Sequence, residues 1–315
     1  MASESRMNRF APLALFVYNR PEHTRQTVEA LAANALAGET PLYIFSDAPR
    51  NEAARQSVEA VRAYIRAISG FQSITIIDRD TNFGLARSII DGVTGLCEKY
   101  GRVIVLEDDL VVSPHFLSYI NSALDFYEHE ERVISVAGYR YPIDHNTETS
   151  TFFLKGTNCW GWATWQRGWN LFEANGSYLL AQLQERGLVR EFDVNGAYGY
   201  TRMLKGQVRG ENDSWAVRWY ASAFLKDRLT LLPHKSLVKN IGMDGSGVHC
   251  SQLSRNPFAV ELCLEPVAVT SIPIEIDMRV AKSLESFYRA ARQAIWRNAV
   301  KQHFQTLAHK ILWKR

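Results

Sequence analysis

Short apolar runs alternate with amphipathic stretches along the first part of the chain. Each run is rich in Val, Ile and Leu, as is typical of strands buried on both faces. The runs lie at Leu13–Val17, Leu42–Phe45, Ile74–Ile77, Val103–Leu106 and Val133–Ala137. The stretches between them have apolar residues at helical spacing, over Thr24–Ala35, Ala54–Ile65, Gly84–Leu96 and Phe116–Leu124. This order predicts an α/β fold, a mostly parallel, doubly wound sheet with helices on both faces.

The pattern changes from Tyr139 onward. Long segments rich in Trp, Gly and polar residues follow, and they are predicted to be loops. The exceptions are one helical pattern at Ser214–Lys226 and two strand patterns, at Leu229–Leu232 and Leu237–Ile241. Long loops without secondary structure are either functional or disordered, and aromatic residues favour function here.

The last segment, Lys282–Arg315, has a helical pattern and an uneven charge. It contains eight Lys and Arg residues against one acid, Glu285. Its apolar stripe consists of Trp296, Val300, Phe304, Leu307 and Ile311. Two interpretations stay open. A basic amphipathic helix can lie on an anionic membrane surface, or it can pack on the domain or on a partner subunit.

Polar side chains follow four of the predicted strands where each strand ends. The largest group is Glu107-Asp108-Asp109, and the others are Asn19-Arg20, Asp47 and Asp78. The carboxyl ends of parallel strands meet at one edge of a sheet, where open α/β folds bind ligands. Carboxylates suit Mg²⁺ or Mn²⁺, which commonly bridge protein acids to phosphates. The alternative is that these acids cap helices and loops in contact with solvent.

Composition excludes several other classes of protein. The 315 residues are 46% hydrophobic and 22% charged, as in an ordinary globular protein, and a net charge of +3 is too small to indicate nucleic-acid binding. Neither a GxxxxGK[ST] loop nor a GxGxxG after the first strand is present. The four cysteines lack zinc-site spacing, and no signal segment or membrane-spanning run is evident, so a cytoplasmic protein is expected.

Three tryptophans lie close together in the segment Asn158-Cys159-Trp160-Gly161-Trp162-Ala163-Thr164-Trp165. Their alternation with small residues does not match one face of a helix. Flat rings with a single N–H donor suit the faces of sugar rings, and Gly161 would let the backbone approach a ligand. Because Trp is often buried, the core remains the alternative.

Two further segments contain candidate catalytic groups. Asp213 or Ser214 is placed to cap the helix that follows, but Asp213 could equally act as a general base, with Glu211 as a second choice. The glycine-rich segment 240–250 contains His249, which could reach a metal ion or a diphosphate.

Together these motifs resemble the GT-A-fold glycosyltransferases that use nucleotide sugars. The resemblance is greatest to bacterial relatives of the family 2 enzymes and of N-acetylglucosaminyltransferase I. It covers about Leu13 to His249 and rests on Tyr18-Asn19-Arg20-Pro21, Asn82-Phe83-Gly84-Leu85-Ala86-Arg87 and Leu106-Glu107-Asp108-Asp109-Leu110, with support from the Trp160–Trp165 and Asp244–His249 segments.

The resemblance implies a nucleoside-diphosphate sugar as donor and Mn²⁺ or Mg²⁺ as cofactor. Asp109 would be the direct metal ligand, together with His249, and Asp213 the catalytic base. Asp108 would contact the ribose or a metal-bound water, Asp47 would contact the base, and Arg87 would lie near the diphosphate. The full set of implied donor-binding residues is Tyr18, Asn19, Arg20, Asp47, Arg87, Asp108, Gly161 and Trp162.

The resemblance also implies a division of the chain. Residues 10–138 would bind the nucleotide sugar, residues 139–270 would supply the acceptor-binding and catalytic half of the same GT-A (Rossmann-like) domain, and residues 271–315 would be the basic tail. The expected function is sugar transfer to a hydroxyl of a glycan or lipid-linked glycan in bacterial surface polysaccharide assembly, by an inverting mechanism with a retaining one as the alternative. The tail could give peripheral contact with the membrane, and an oligomer is possible. The alternatives are a sugar nucleotidyltransferase and a non-catalytic glycan-binding or membrane-associated protein.

Overall fold

The computed structural model describes residues 9–143, 149–244 and 256–293. The strands within these ranges are β1 (Leu13–Val17), β2 (Pro41–Ser46), β3 (Ser73–Asp78), β4 (Arg102–Glu107), β5 (Leu110–Val112), β6 (Val133–Ala137), β7 (Thr151–Lys155), β8 (Trp162–Trp165), β9 (Leu229–Pro233) and β10 (Val238–Asn240). The α-helices are α1 (Pro21–Ala32), α2 (Glu52–Ile65), α3 (Leu85–Tyr100), α4 (Phe116–Phe126), α5 (Gln166–Trp169), α6 (Gly176–Glu185), α7 (Val189–Phe192), α8 (Tyr200–Val208), α9 (Trp215–Leu225) and α10 (278–293). A short 3₁₀ helix spans Ala37–Glu39.

Eight strands form one sheet in the order β3-β2-β1-β4-β8-β6-β9-β7. The four strands from β3 to β4 are parallel to their neighbours. Beyond β4 the sheet becomes mixed, because β8 runs antiparallel to both β4 and β6, β9 is parallel to β6, and β7 is antiparallel to β9. A separate antiparallel pair joins β10 to β5. The carboxyl ends of β1 to β4 therefore share one edge, as the sequence predicted.

Both faces of the sheet are covered, which explains the continuous apolar runs. In β1, Leu13 and Leu15 pack on the side of α1, α2 and α4, whereas Ala14 and Phe16 pack on the side of α3 and α9. The alternation follows from the period of two in a strand. A strand covered on one face alternates apolar and polar residues, whereas a strand covered on both faces is apolar throughout. A continuous apolar run therefore predicts a strand that is covered on both sides.

The α/β prediction is confirmed, and the predicted helix starts are close to the observed ones. Helix α1 begins at Pro21 rather than at Thr24, because the φ of proline suits the first helical position and its missing N–H costs nothing there. Gly84 precedes α3 with φ +71°, as its place before the helical pattern suggested.

The prediction that residues after Tyr139 are mostly loops is wrong. Strands β7 and β8 complete the sheet there, and helices α6 and α8 pack with α9 around a small core that includes Leu183, Leu204 and Phe224. The strands are short and apolar on both faces, so their alternation was not visible. The predicted helix and the two predicted strands correspond to α9, β9 and β10.

Helix α10 contains the described part of the basic tail, and it packs on the domain. Val280 is fully buried in a cluster with Ile143 and Leu232, and Tyr288 and Ala291 are also buried. The packing interpretation therefore holds for this part of the tail. The stripe from Trp296 to Ile311 lies outside the described residues. Among the described helices, none is long and apolar enough to cross a membrane.

Candidate functional site

The acidic triplet lies where β4 ends, beside the turn that follows β1. Because Phe16 of β1 pairs in parallel register with Glu107, the residues after the two strands meet at the same edge. The Arg20 Nη2 atom donates to Asp108 Oδ1 at 2.5 Å and to Asp109 Oδ2 at 2.8 Å. The structure thus brings together Arg20, Asp108 and Asp109, three residues selected from the sequence.

Burial sets the electrostatics of this group. The pKa of Asp108 is raised to about 6 by burial, against the opposing effects of Arg20 and of a hydrogen bond from the Tyr18 N–H at 3.3 Å. The pKa of Glu107 is raised to about 8, first by burial and then by the carboxylates of Asp109 and Asp108. Burial alone would lower the pKa of Arg20, but the two aspartates outweigh it and raise that pKa. The group is therefore short of positive charge.

These residues suit a divalent cation as part of its ligand set. Three carboxylates face one guanidinium, which leaves two negative charges when all are ionised, and no hydrogen bond to the Glu107 carboxylate is made by the described residues. Within residues 9–143, 149–244 and 256–293, no three His, Cys, Asp or Glu side chains form a complete metal site. One or two carboxylates are usual for Mg²⁺, since substrate phosphates and waters complete its coordination.

The segment after β10 covers Asp109. The Ile241 N–H donates to the Asp109 carbonyl at 2.9 Å, and Asp244 Oδ2 lies 3.2 Å from His23 Nε2. A Cβ added to Gly242 would lie 1.9 Å from Asp109 Oδ2, so only glycine permits this approach. His249, the second predicted metal ligand, lies outside the described residues.

Asp47 lies at the same edge, but its carboxylate is already occupied by protein donors. It accepts hydrogen bonds from the backbone N–H groups of Ala48, Phe83 and Gly84, at 2.8 to 2.9 Å, and from the Asn82 side chain at 3.1 Å. These contacts hold the turn before α3. In this arrangement Asp47 positions the loop, and its role in contacting a base stays a prediction.

Three other predicted donor residues surround this edge. Tyr18 accepts a hydrogen bond from the Arg50 N–H at its hydroxyl, and Asn19 is partly exposed. Arg87 is exposed and stacks on the Phe83 ring at 3.9 Å.

Asp213 immediately precedes Ser214, the N-cap of α9, and it pairs with Arg218 rather than with a residue of the triplet. It is 69% exposed, and Arg218 Nη2 donates to its Oδ1 at 3.0 Å. Ser214, and not Asp213, caps α9 by accepting from the Val217 N–H. Asp213 and Arg87 both line a cleft of about 540 Å³ between α3 and the start of α9, whose lining does not include residues 107–109.

The tryptophan segment is divided between core and surface. Trp162 has no exposed surface, and its ring lies 5.5 Å from that of Trp215 and 6.0 Å from that of Trp219. A Cβ on Gly161, which has φ +62°, would lie 2.6 Å from Val238. The structure therefore places Trp162 in the core rather than on a ligand surface, and Gly161 accommodates a neighbouring side chain. Among the three tryptophans, Trp160 alone is partly exposed.

No individual role was predicted from the sequence for several residues in and around the site. Thr27 of α1 donates to the Asp108 carbonyl at 2.9 Å, and Gly242 contacts Asp109. Asn158 is buried, and its Oδ1 accepts from the Trp160 N–H. The position of Gly242 directly after a predicted strand could have indicated that it lies near the site. Thr27 has no such indication, because a single threonine on a helix has no distinguishing pattern.

Comparison with protein-family models gives one match. Residues 2–150 match the model of the GNT-I family. The resemblance to GT-A-type glycosyltransferases is thus confirmed for the N-terminal half. The matched range contains β1 to β6, Arg20 and the acidic triplet. No curated protein matches the sequence.

Three solved structures are similar to this chain at low identity. TarS of S. aureus is 12% identical with a TM-score of 0.39, and the alignment covers 74% of this chain and 37% of TarS. The mannosyltransferase PcManGT from Pyrobaculum calidifontis, in complex with GDP-Man and Mn²⁺, is 10% identical with a TM-score of 0.33, covering 57% and 48%. Mouse xyloside xylosyltransferase 1 in its apo form is 13% identical with a TM-score of 0.34, covering 64% and 83%. The chain thus spans well under half the length of TarS.

Proposed function

We propose that this chain is a metal-dependent glycosyltransferase that moves a sugar from a nucleoside-diphosphate sugar to a hydroxyl of a glycan or lipid-linked glycan. The observation that carries the proposal is the pairing of Arg20 with Asp108 and Asp109 at the carboxyl edge of the parallel strands. This edge is where open α/β sheets bind nucleotides, and the family match includes it.

The residues at the edge have distinct proposed tasks. Asp109, with Glu107 beside it, would hold Mn²⁺ or Mg²⁺ against the diphosphate. Such a cation neutralises the charge that develops on a departing diphosphate. Arg20 keeps the two aspartates together, and Asp108, which is buried and fixed by the Tyr18 N–H, orients its neighbour.

We further propose an inverting direct displacement, in which a carboxylate accepts the proton of the attacking hydroxyl. Asp213 is the first candidate, because it is exposed at the start of α9 and Arg218 fixes its position. Glu211 is the second, but Arg209 holds both of its oxygens. The acceptor would belong to bacterial surface polysaccharide assembly, and the part of the basic tail beyond α10 would contact the membrane surface.

A thermal-shift screen tests the donor half of the proposal. The full chain is heated with UDP, GDP, CDP or dTDP, each with and without Mn²⁺. We expect one nucleotide to raise the melting temperature only when Mn²⁺ is present, since a ligand at 100 times its Kd stabilises the folded state by about 2.7 kcal/mol.

Asp109→Asn is the matched variant, because it keeps the size of the side chain and removes its charge. We expect it to abolish the Mn²⁺-dependent shift while its melting temperature without ligand stays close to that of the wild type. An equal shift in the variant, or no shift with any of the four nucleotides, contradicts the proposal.

A further inference from the structure

The connection between β7 and β8 lies next to the acidic triplet, on the side away from β1. Trp162 pairs with Val105 in antiparallel register, so the residues before Trp162 lie beside the end of β4. The pKa of the Cys159 thiol is raised to about 12 by burial and by the carboxylates of Glu107 and Asp109, in agreement with this placement. Segment 158–160 therefore borders the triplet on its antiparallel side.

Trp160 joins this border to a large group of aromatic rings. Its ring lies 4.6 Å from that of Tyr139 and 6.0 Å from that of Phe258. Tyr198 lies near Cys159, and its ring packs on that of Tyr288 of α10 at 4.6 Å. Trp160 and Tyr198 are both partly exposed, whereas Tyr139 and Tyr288 behind them are buried. Each of the two partly exposed rings thus packs against a buried ring.

An unused hydrogen-bond donor lies in the same segment. Asn158 is only 8% exposed, and its Oδ1 accepts from the Trp160 N–H at 2.9 Å. Its Nδ2 makes no hydrogen bond with any described residue. A buried amide left without a partner costs about 1–3 kcal/mol, so a ligand hydroxyl that accepts from it would be stabilising.

From these contacts we infer that Trp160, Tyr198 and Asn158 form the acceptor subsite, which binds one face of a hexopyranose ring of the acceptor glycan. The apolar face of the sugar stacks on the rings and a ring hydroxyl accepts from the Asn158 Nδ2. This inference rests on the proposed function, because the triplet must hold the donor. The turn with Arg20 and the loop held by Asp47 lie on the β1 side of the triplet, and segment 158–160 borders its other side.

Saturation-transfer NMR tests this subsite without a turnover assay. The probes are the methyl glycosides of glucose, galactose, mannose and N-acetylglucosamine, each mixed with the full chain. We expect at least one glycoside to receive saturation on the protons of its apolar face. Trp160→Ala weakens that glycoside's binding about tenfold, since stacking is worth roughly this factor, and Trp160→Phe restores most of it.

Two controls separate this inference from the donor proposal. Tyr178→Ala removes a ring that is 52% exposed on α6 and should leave the glycoside signals unchanged. The Mn²⁺-dependent shift with a nucleoside diphosphate should be equal in Trp160→Ala and the wild type. Glycoside binding that is unchanged in Trp160→Ala, or absent with all four probes, overturns the subsite. If the wild type shows no Mn²⁺-dependent shift with any nucleoside diphosphate, the proposed function is overturned instead.

Discussion

The two halves of the sheet place their chemistry in different ways. In the parallel half, β3-β2-β1-β4, charged residues follow the strands and meet at one edge, where Arg20 pairs with two aspartates. In the mixed half, β8-β6-β9-β7, the side chains of interest are aromatic, and neighbours in sequence have opposite environments. Trp162 is fully buried, while Trp160, two residues earlier, is partly exposed.

This difference shows that clustered acidic residues indicate a functional site more reliably than clustered aromatic residues do. A carboxylate can be buried only with a cation or a hydrogen-bond donor as its partner. A cluster of acids at a strand end therefore indicates a binding site, whatever path the chain takes after the strand. A tryptophan is stable both in a core and on a ligand surface, so its position in the sequence does not decide between them.

The largest predicted effect tests whether Asp213, which lies between β8 and β9 in the chain, acts on a donor held at the edge of the parallel half. Asp213→Asn should lower the rate of sugar transfer by a factor of about 10² to 10⁴, because a general base contributes about that much. The Mn²⁺-dependent nucleotide shift should remain, since Asp213 lies outside the triplet. The measurement is initial-rate transfer with the donor identified by thermal shift. Asp91→Asn, in the same cleft, is the control, and normal turnover in Asp213→Asn would exclude it as the base.

The second prediction contrasts two tryptophans in the mixed half. Trp162→Ala should lower the free energy of unfolding by about 3–5 kcal/mol, as expected when a buried ring leaves a cavity. Trp160→Ala should cost clearly less, because that ring is partly exposed. Urea denaturation followed by circular dichroism measures both. Equal losses in the two variants would contradict the division into core and surface.

The third prediction concerns the loop-holding role of Asp47. Asp47→Ala should cost on the order of 2–3 kcal/mol of unfolding free energy, since it leaves the N–H groups of Phe83 and Gly84 without an acceptor. Asp78→Ala is the matched control at the neighbouring strand end. Its pairs with Arg62 and Arg66 are partly exposed, so its loss should cost less than about 1 kcal/mol. A smaller loss for Asp47→Ala than for Asp78→Ala would refute this role.

The smallest effect is the pH dependence of the metal-free protein. Because the pKa of Glu107 is about 8 when folded and lies near 4.5 in the unfolded chain, the folded state retains a proton that the unfolded chain releases. Stability should therefore fall as the pH rises from about 4.5 to about 8. Glu107→Gln should remove the part of this fall that Glu107 causes, leave the part below about pH 6 that the raised pKa of Asp108 causes, and make the protein more stable than the wild type at pH 8. Melting temperatures in a chelating buffer measure the difference, and parallel pH profiles would argue against it.

Much of the parallel half could be predicted from the sequence, for a physical reason. Strands buried on both faces produce apolar runs, and each is followed by the residues of the shared edge, so Arg20 and Asp109 were identified together. The second half gave weaker signals. The strand at Trp162–Trp165 is only four residues long, and its buried residues include the small Ala163. Its sequence therefore has no periodicity that would distinguish it from a loop.

Within the site, residue type was predictable and contacts were not. Asp47 was correctly placed at the edge, but its saturation by the turn at 82–84 depends on the path of the backbone. Asp213 was identified by its position before a helix, and its pairing with Arg218 follows from the geometry of that helix.

The packing of α10 sets a limit on where the chain can be shortened. Asn195 donates to Glu285, and Arg289 and Arg292 donate to the carbonyls of Asn195 and Gly196. Removing everything from residue 282 would cut these links and take away the support behind Tyr198, so a failure of such a protein to bind vesicles would not distinguish a lost anchor from a damaged domain. A truncated protein for membrane experiments should therefore end after residue 293, so that only residues 294–315 of the basic tail are removed.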